Sequence, residues 1–279
     1  MTTTQTTQAT KPASTMFGRG TGMMRVTQSR VVVSEWTKFR SVRSTVYTLL
    51  AAVVFMVGLG ALFSAITAGQ PGGLEPGQSA VSTSLSGTIF AQLAIGVLGV
   101  LLISGEYSTG MIRSSLTVVP RRLPMLWGKL AVFTGVVFLT MLIASLAAFF
   151  VGQLLFSGQH LDASLSDPGV LRSVVGSALY LTVAGVTALA LGALLRNTAA
   201  AITTFVAVFF VIPPLTLLLP ASLTDQFVQY LPSNAGTGIM GAGFGVAHPL
   251  APWTGFAVLC GYAVVLIGFA AWRLRRADA

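Results

Sequence analysis

The sequence predicts an all-α integral membrane protein, a bundle of six transmembrane helices, and three observations predict it. Of the 279 residues, 54% are hydrophobic and 8% charged, with a mean hydropathy of +0.82, whereas an ordinary soluble domain is about 25% charged. The apolar residues gather in six runs, 46–68, 86–105, 130–155, 174–195, 199–219 and 253–272, each near the roughly 20 helical residues that span a hydrocarbon core. None of the runs alternates with a period of two, so closed β-barrels are excluded.

Charge placement orients the bundle. Of the sixteen Lys and Arg, Lys11, Arg19, Arg25, Arg30, Lys38, Arg40 and Arg43 precede the first run, and Arg113, Arg121, Arg122 and Lys129 fall between the second and third. Arg196 follows the fourth, and Arg273, Arg275 and Arg276 follow the sixth. Only Arg172 lies on the other side, with Glu75, Asp162, Asp167 and Asp225. The positive-inside rule then places both termini in the cytoplasm of a multi-pass protein of the cell (plasma) membrane. The net charge of +9 is thus an orientation signal, and nucleic acid is not an expected partner.

Residues 1–24 are rich in Thr, Gln, Ser and Gly and are expected to form a disordered cytoplasmic tail. Without an apolar h-region they do not read as a cleaved signal peptide, and the first span is expected to act as its own insertion signal. Over 25–45, Val32, Trp36, Phe39 and Val46 share one side of a helical wheel, and Arg30, Ser34, Lys38, Ser41 and Thr45 the other. That pattern suits an amphipathic helix in the headgroup layer with Trp36 at the boundary, Arg40 and Arg43 snorkelling from near the apolar stripe. A plain basic flank of the first span would carry the same residues.

Segment 104–129, SGEYSTGMIRSSLTVVPRRLPMLWGK, is the one long polar, basic insertion between two spans. Ile112, Leu116 and Val119 recur at helical spacing with no proline over 107–119, predicting a short helix that Pro120 ends. Pro124 is expected to break the chain again on the far side of Arg121 and Arg122. Glu106, directly after an apolar run, needs a partner, and Arg113 is a candidate. The segment reads either as a docking element for a partner protein or as a basic loop that only fixes topology.

Within the spans, Ala184, Ala188 and Gly192 make a small-residue ridge on the fourth, and Gly261 and Gly268 lie seven apart on the sixth. Pro213 and Pro214 are expected to kink or end the fifth. Stretch 220–251 is too apolar for a free loop; Ser233 and Asn234 are candidate helix caps, and a short helix dipping into the outer leaflet is expected. The glycines at 238, 241, 243 and 245 limit its length. The last residues, 273–279, form a cytoplasmic tail.

The chemistry that is missing narrows the function. No G-x-x-x-x-G-K-[ST] pattern occurs: Leu123 stands at the first glycine and Leu130 follows Gly128-Lys129. The runs contain no Asp, no His and no Glu except Glu106 at an edge, which argues against an intramembrane enzyme and against a pump with buried ionisable groups. His160 and His248 have no second ligand nearby for a metal, and the single Cys260 is expected to pack. What remains is a conduit or gate driven from elsewhere.

The sequences SEWTKFRSVRST at 34–45, SGEYSTGMIRSSL at 104–116, PRRLPMLWGK at 120–129 and LPSNAG at 231–236, in this order among six spans, resemble ABC-2 type ATP-binding cassette transporter permeases, the short actinobacterial membrane subunits. The resemblance covers the chain from about Arg25 onward. It implies an interfacial connecting helix carrying Trp36, Lys38, Phe39, Arg40 and Arg43. It also implies a cytoplasmic coupling helix that docks on a separate ATPase through Glu106, Tyr107, Ile112, Arg113, Leu116, Val119, Arg121 and Arg122. An external re-entrant segment with Pro232, Ser233 and Asn234 would close the exit. The implied function is export of an apolar or amphipathic substrate, a drug, antibiotic, lipid or peptide. ATP and Mg are expected on the partner subunit, no cofactor on this chain, and the implied partners are the ATPase, a second permease copy or related permease, and membrane lipid. The chain itself is then non-catalytic. The alternative is a non-transporting membrane scaffold or sensor that binds a cytoplasmic partner through the same loop.

Overall fold

The computed structural model describes residues 28–70, 74, 78–108, 122–159, 161–218, 220, 227–241 and 249–276. The expected tail at 1–24, the docking segment at 109–121 with Ile112, Arg113, Leu116, Val119 and Arg121, and residues 277–279 lie outside them. Glu106, Tyr107 and Arg122 sit at helix ends, with side chains outside the described set.

Among the described residues all regular structure is helical, and six helices are long and apolar enough to cross a membrane. Helix α1, Gln28–Ser41, stops where Val42 turns extended at φ −84°, ψ 109°, and α2, Arg43–Ala68, restarts at once. The single helix expected over 25–45 is therefore two helices meeting at an elbow.

The second span is also divided. A short α3, Ala80–Ser84, begins with a capping box between Ser79 and Ser82, and α4, Thr88–Ser108, follows after three residues. Gly87 lies in that break, where an added Cβ would stand 2.3 Å from the Met56 carbonyl oxygen and 2.6 Å from that of Phe55. Opposite it, Phe55–Leu59 forms a π-turn in α2, so the two irregularities pack against each other.

Helix α5, Arg122–Phe156, has 35 residues and is about 52 Å long at 1.5 Å per residue. That exceeds a hydrocarbon core of about 30 Å, so its ends stand outside it. Pro124 does not break the chain as expected. It sits in the first turn of α5, where the missing N–H would have had no helical partner.

Helix α6, Val170–Leu195, is the axis of the bundle, packing against α4, α5, α7 (Thr198–Leu215) and α9 (Pro252–Arg276). The Ala184, Ala188 and Gly192 ridge is buried, and an added Cβ on Gly192 would meet Ile103 of α4 at 2.8 Å. At the same interface an added Cβ on Gly99 would stand 2.4 Å from the Gly185 carbonyl oxygen. The Gly261 and Gly268 positions on α9 meet nothing within 4 Å, so that pair is no internal packing ridge. Its helix neighbours Val264, Val265 and Phe269 are exposed and face the surroundings of the bundle.

Pro213 and Pro214 disrupt α7 as expected. The turn before them, Ala207–Val211, is a π-turn, and regular helix ends at Leu215. Each ring displaces the carbonyl four residues earlier and supplies no N–H to it. Helix α8, Pro232–Thr237, is short and largely buried against α9.

Candidate functional site

At one end of the bundle the basic residues converge. Helix α1 lies along the start of α5. Its Gln28 side chain donates to the Pro124 carbonyl at 3.1 Å, and its Val31 covers Gly128, whose absent Cβ would stand 2.9 Å from the Val31 side chain. That close approach brings Glu35, one turn after Val31, onto α5. One Glu35 carboxylate oxygen accepts from Lys129 at 2.9 Å and the other from Lys38 at 2.9 Å. Lys129 also donates to the Leu102 carbonyl of α4 at 3.3 Å. Three helices are thus tied through one carboxylate and one ammonium group.

Both members of the inter-helix pair are inside the protein: Glu35 is 5% exposed and Lys129 3%. Burial alone would push the Glu35 carboxyl up. Lys129 and Lys38 outweigh that penalty by charge and hydrogen bonding and hold it below the usual carboxylate range. Removing two charges from water costs several kcal/mol per ion in order of magnitude. The pair therefore fixes how α1, α4 and α5 meet more than it adds net stability.

The inward face of α1 differs from the expected stripe. Val31, Glu35 and Phe39 face the bundle, whereas Trp36 is 49% exposed. Of the residues implied for this helix, Phe39 is buried, Lys38 is half-buried and paired, and Arg40 and Arg43 are exposed. Thr45, expected on the polar side, is buried in the first turn of α2. Spacing missed this face because a strictly apolar criterion rejects the i, i+4, i+8 set that contains a glutamate. Lys129, expected in the connection before the third span, is inside α5 itself, seven residues beyond its start.

The neighbouring helix ends lie at the same end of the bundle. Thr198, opening α7, donates to Ser104 of α4 at 2.9 Å, and the Arg273 guanidinium of α9 donates to the Leu194 carbonyl at the α6 C-terminus. Arg276 stacks over Trp272 with its guanidinium 4.4 Å from the ring centre. A cation at the last carbonyls of a helix is favoured by the helix dipole.

At the opposite end the Asp167 carboxylate accepts from the Ser164 N–H at 2.7 Å, and amides and hydroxyls join the helices. Gln153 donates to Ser84 at 3.2 Å and accepts from the Ala163 N–H at 2.7 Å, joining α5, α3 and the loop after α5. In α8 neither Ser233 nor Asn234 caps the helix, correcting that expectation: Leu231 is the N-cap with no side-chain bond, and Pro232 takes the first position. Proline is favoured there because its fixed φ and missing N–H suit a helix start. Asn234 donates instead to the Val228 carbonyl at 3.0 Å, and the buried Ser233 hydroxyl has no partner among the described residues. Gly236 sits on the ring of Tyr180, where an added Cβ would stand 2.6 Å away. Tyr180 donates to Gln92 at 2.8 Å, so its ring links α8 to the α4–α6 core.

Among the described residues no group of three or more His, Cys, Asp or Glu gathers to hold a metal. Within the spans, described hydroxyls and amides bond to helix carbonyls or to one another; apart from Lys129, the described charged side chains of the spans, Arg43, Arg172, Arg273, Arg275 and Arg276, lie in the first or last turn of their helices.

A family model described as ABC-2 family transporter protein matches residues 31–214, about two thirds of the chain. The match runs from the first buried residue of α1 to the second proline of α7. No curated protein matches.

Proposed function

The chain belongs to the ABC-2 transporter family, and from that premise we propose that it is the permease subunit of an exporter whose ATP is hydrolysed by a separate cassette subunit. The observation that carries the reading is the family match laid over six membrane-spanning helices, with a buried inter-helix ion pair, Glu35 to Lys129, at one end of the bundle. Energy has to come from a partner, which also holds ATP and Mg, because no phosphate-cradling loop occurs in the sequence.

In this account closure of two ATPases drives together the coupling segments, 106–119, of two permease copies or related permeases. Each segment joins the end of α4 to the start of α5. Glu35 and Lys129 make α1 move with those two helices, and α6 relays the displacement through Tyr180 to Gly236 at the exit segment with Pro232, Ser233 and Asn234. Both termini face the cytoplasm, on the side of Arg273 and Lys38. Differential contact between two states supplies the coupling. The cargo is apolar or amphipathic, in keeping with spans that offer hydroxyls and amides but few charges.

The test is co-expression with a candidate ATP-binding cassette protein and purification by a tag on the permease. A stoichiometric complex supports the reading. A folded, pure permease that retains no ATP-binding protein sinks it and leaves a scaffold or sensor.

A further inference from the structure

The first two spans lose regular helical geometry at the same level. In α2 the irregularity is the π-turn Phe55–Leu59. In the second span it is the break at 85–87, where i to i+3 hydrogen bonds of 3.0–3.3 Å carry the chain from Thr83 to Ile89. Stretches of 3₁₀ and π geometry inside helices are where the backbone bends most readily. Gly87 is pressed against the Met56 and Phe55 carbonyls. The side-chain bond across this junction, from the Thr88 hydroxyl to the Met56 sulfur at 3.4 Å, is to a weak acceptor.

Beyond that level the packing is of another kind. An added Cβ on Gly60 would strike the Ser84 carbonyl oxygen, and one on Gly152 the Ser84 hydroxyl, which also accepts from Gln153. The outer part of α2, Gly60–Ala68, and the short α3 are thereby seated on each other and on the far end of α5. Their contact with the α6 axis is slight.

We propose that α3 and the outer part of α2 form a cap that rides on the end of α5 and tilts against α4 and α6, with the joint at Met56 and Gly87. Helix α5 is unbroken over 35 residues, so a displacement of its far end carries the cap with it. The π-turn and the Gly87 break absorb the bend that two regular helices would resist. Ile66 lies about 13 Å along α2 from Val57 at 1.5 Å per residue, so a tilt of about 20° moves it by about 5 Å. The joint belongs to the fold and does not depend on what drives transport.

The test measures electron paramagnetic resonance distances on the full-length chain in lipid nanodiscs, with Cys260→Ala as background. One pair of spin labels, on Ile66→Cys and Leu171→Cys, runs from the cap to the start of α6. A second, on Ile66→Cys and Leu154→Cys, stays within the cap and its seat on α5, and all three positions are exposed. The cap-to-axis distribution should be wider than the within-cap one by about 5 Å. Gly87→Ala wedges the joint and should shift the cap-to-axis distance by about the same amount, about 5 Å, with the within-cap distance unchanged. Equal widths for the two pairs without Gly87→Ala, or equal shifts of both pairs with it, zero included, would each overturn the proposal. If Gly87→Ala does not fold, the two widths decide by themselves.

Discussion

Glu35 of α1 and Lys129 of α5 meet at 2.9 Å in a place where neither is more than 5% exposed. The pair joins a helix that precedes the first span to one that opens the third. Val31 seated on Gly128 and Gln28 bonded to Pro124 place α1 close enough for it to form.

Removing one partner should cost more than removing both. Lys129→Met leaves a buried carboxylate with only Lys38 beside it and should destabilise by about 3 kcal/mol, whereas Glu35→Leu with Lys129→Met should stay within about 1 kcal/mol of wild type. Thermal unfolding in detergent of the three proteins checks the ordering.

The same pair gives a pH dependence with a fixed sign. The Glu35 carboxyl is held below its ordinary value when folded, so its contribution is fully present above the unfolded value of about 4.3. It is lost as pH falls through the lower folded value. Melting temperature against pH should therefore fall more steeply at acid pH in wild type than in Glu35→Gln, and parallel curves would remove this role.

Gly99 and Gly261 separate packed from unpacked glycines. Gly99→Ala drives a methyl against the Gly185 backbone, which has no side chain to move aside, and should cost about 1–3 kcal/mol. Gly261→Ala and Gly268→Ala meet open space and should be neutral or stabilising by up to about 1 kcal/mol. Unfolding measured variant by variant decides.

Tyr180→Phe removes the donor to Gln92, whose amide nitrogen has no partner among the described residues. Leaving the whole buried amide unpaired should cost about 1–3 kcal/mol, and adding Gln92→Leu should recover most of it. If the double variant is no better than Tyr180→Phe, the hydrogen bond is not what the site needs.

Orientation is testable in cells. With Cys260→Ala as background, an impermeant maleimide should label Ser166→Cys in intact cells and reach Arg275→Cys only after lysis. The reverse order would invert the bundle.

Much of the architecture is legible in the sequence, because hydropathy and length alone specify spans when every backbone group must be bonded inside the segment. The double proline of α7 and the ridge of Ala184, Ala188 and Gly192 are legible for the same local reason. The elbow at Val42 and the break at Gly87 are not, since both depend on a second helix pressing on the first. The Glu35–Lys129 pair joins residues 94 positions apart, and helical spacing within α1 pointed to Trp36 instead. One signal was present: Glu35 is the only acid ahead of the first span, among seven basic residues. An acid kept in a basic segment asks for a buried partner.

The most direct test of ATP-driven coupling through this chain is hydrolysis by the purified complex in lipid nanodiscs, with wild-type permease and with Glu106→Ala. The account predicts that the complex hydrolyses ATP at a rate distinct from the free ATPase, and that Glu106→Ala returns it to the free rate while the chain still inserts and assembles. Identical hydrolysis by the free ATPase, the wild-type complex and the variant complex would contradict it.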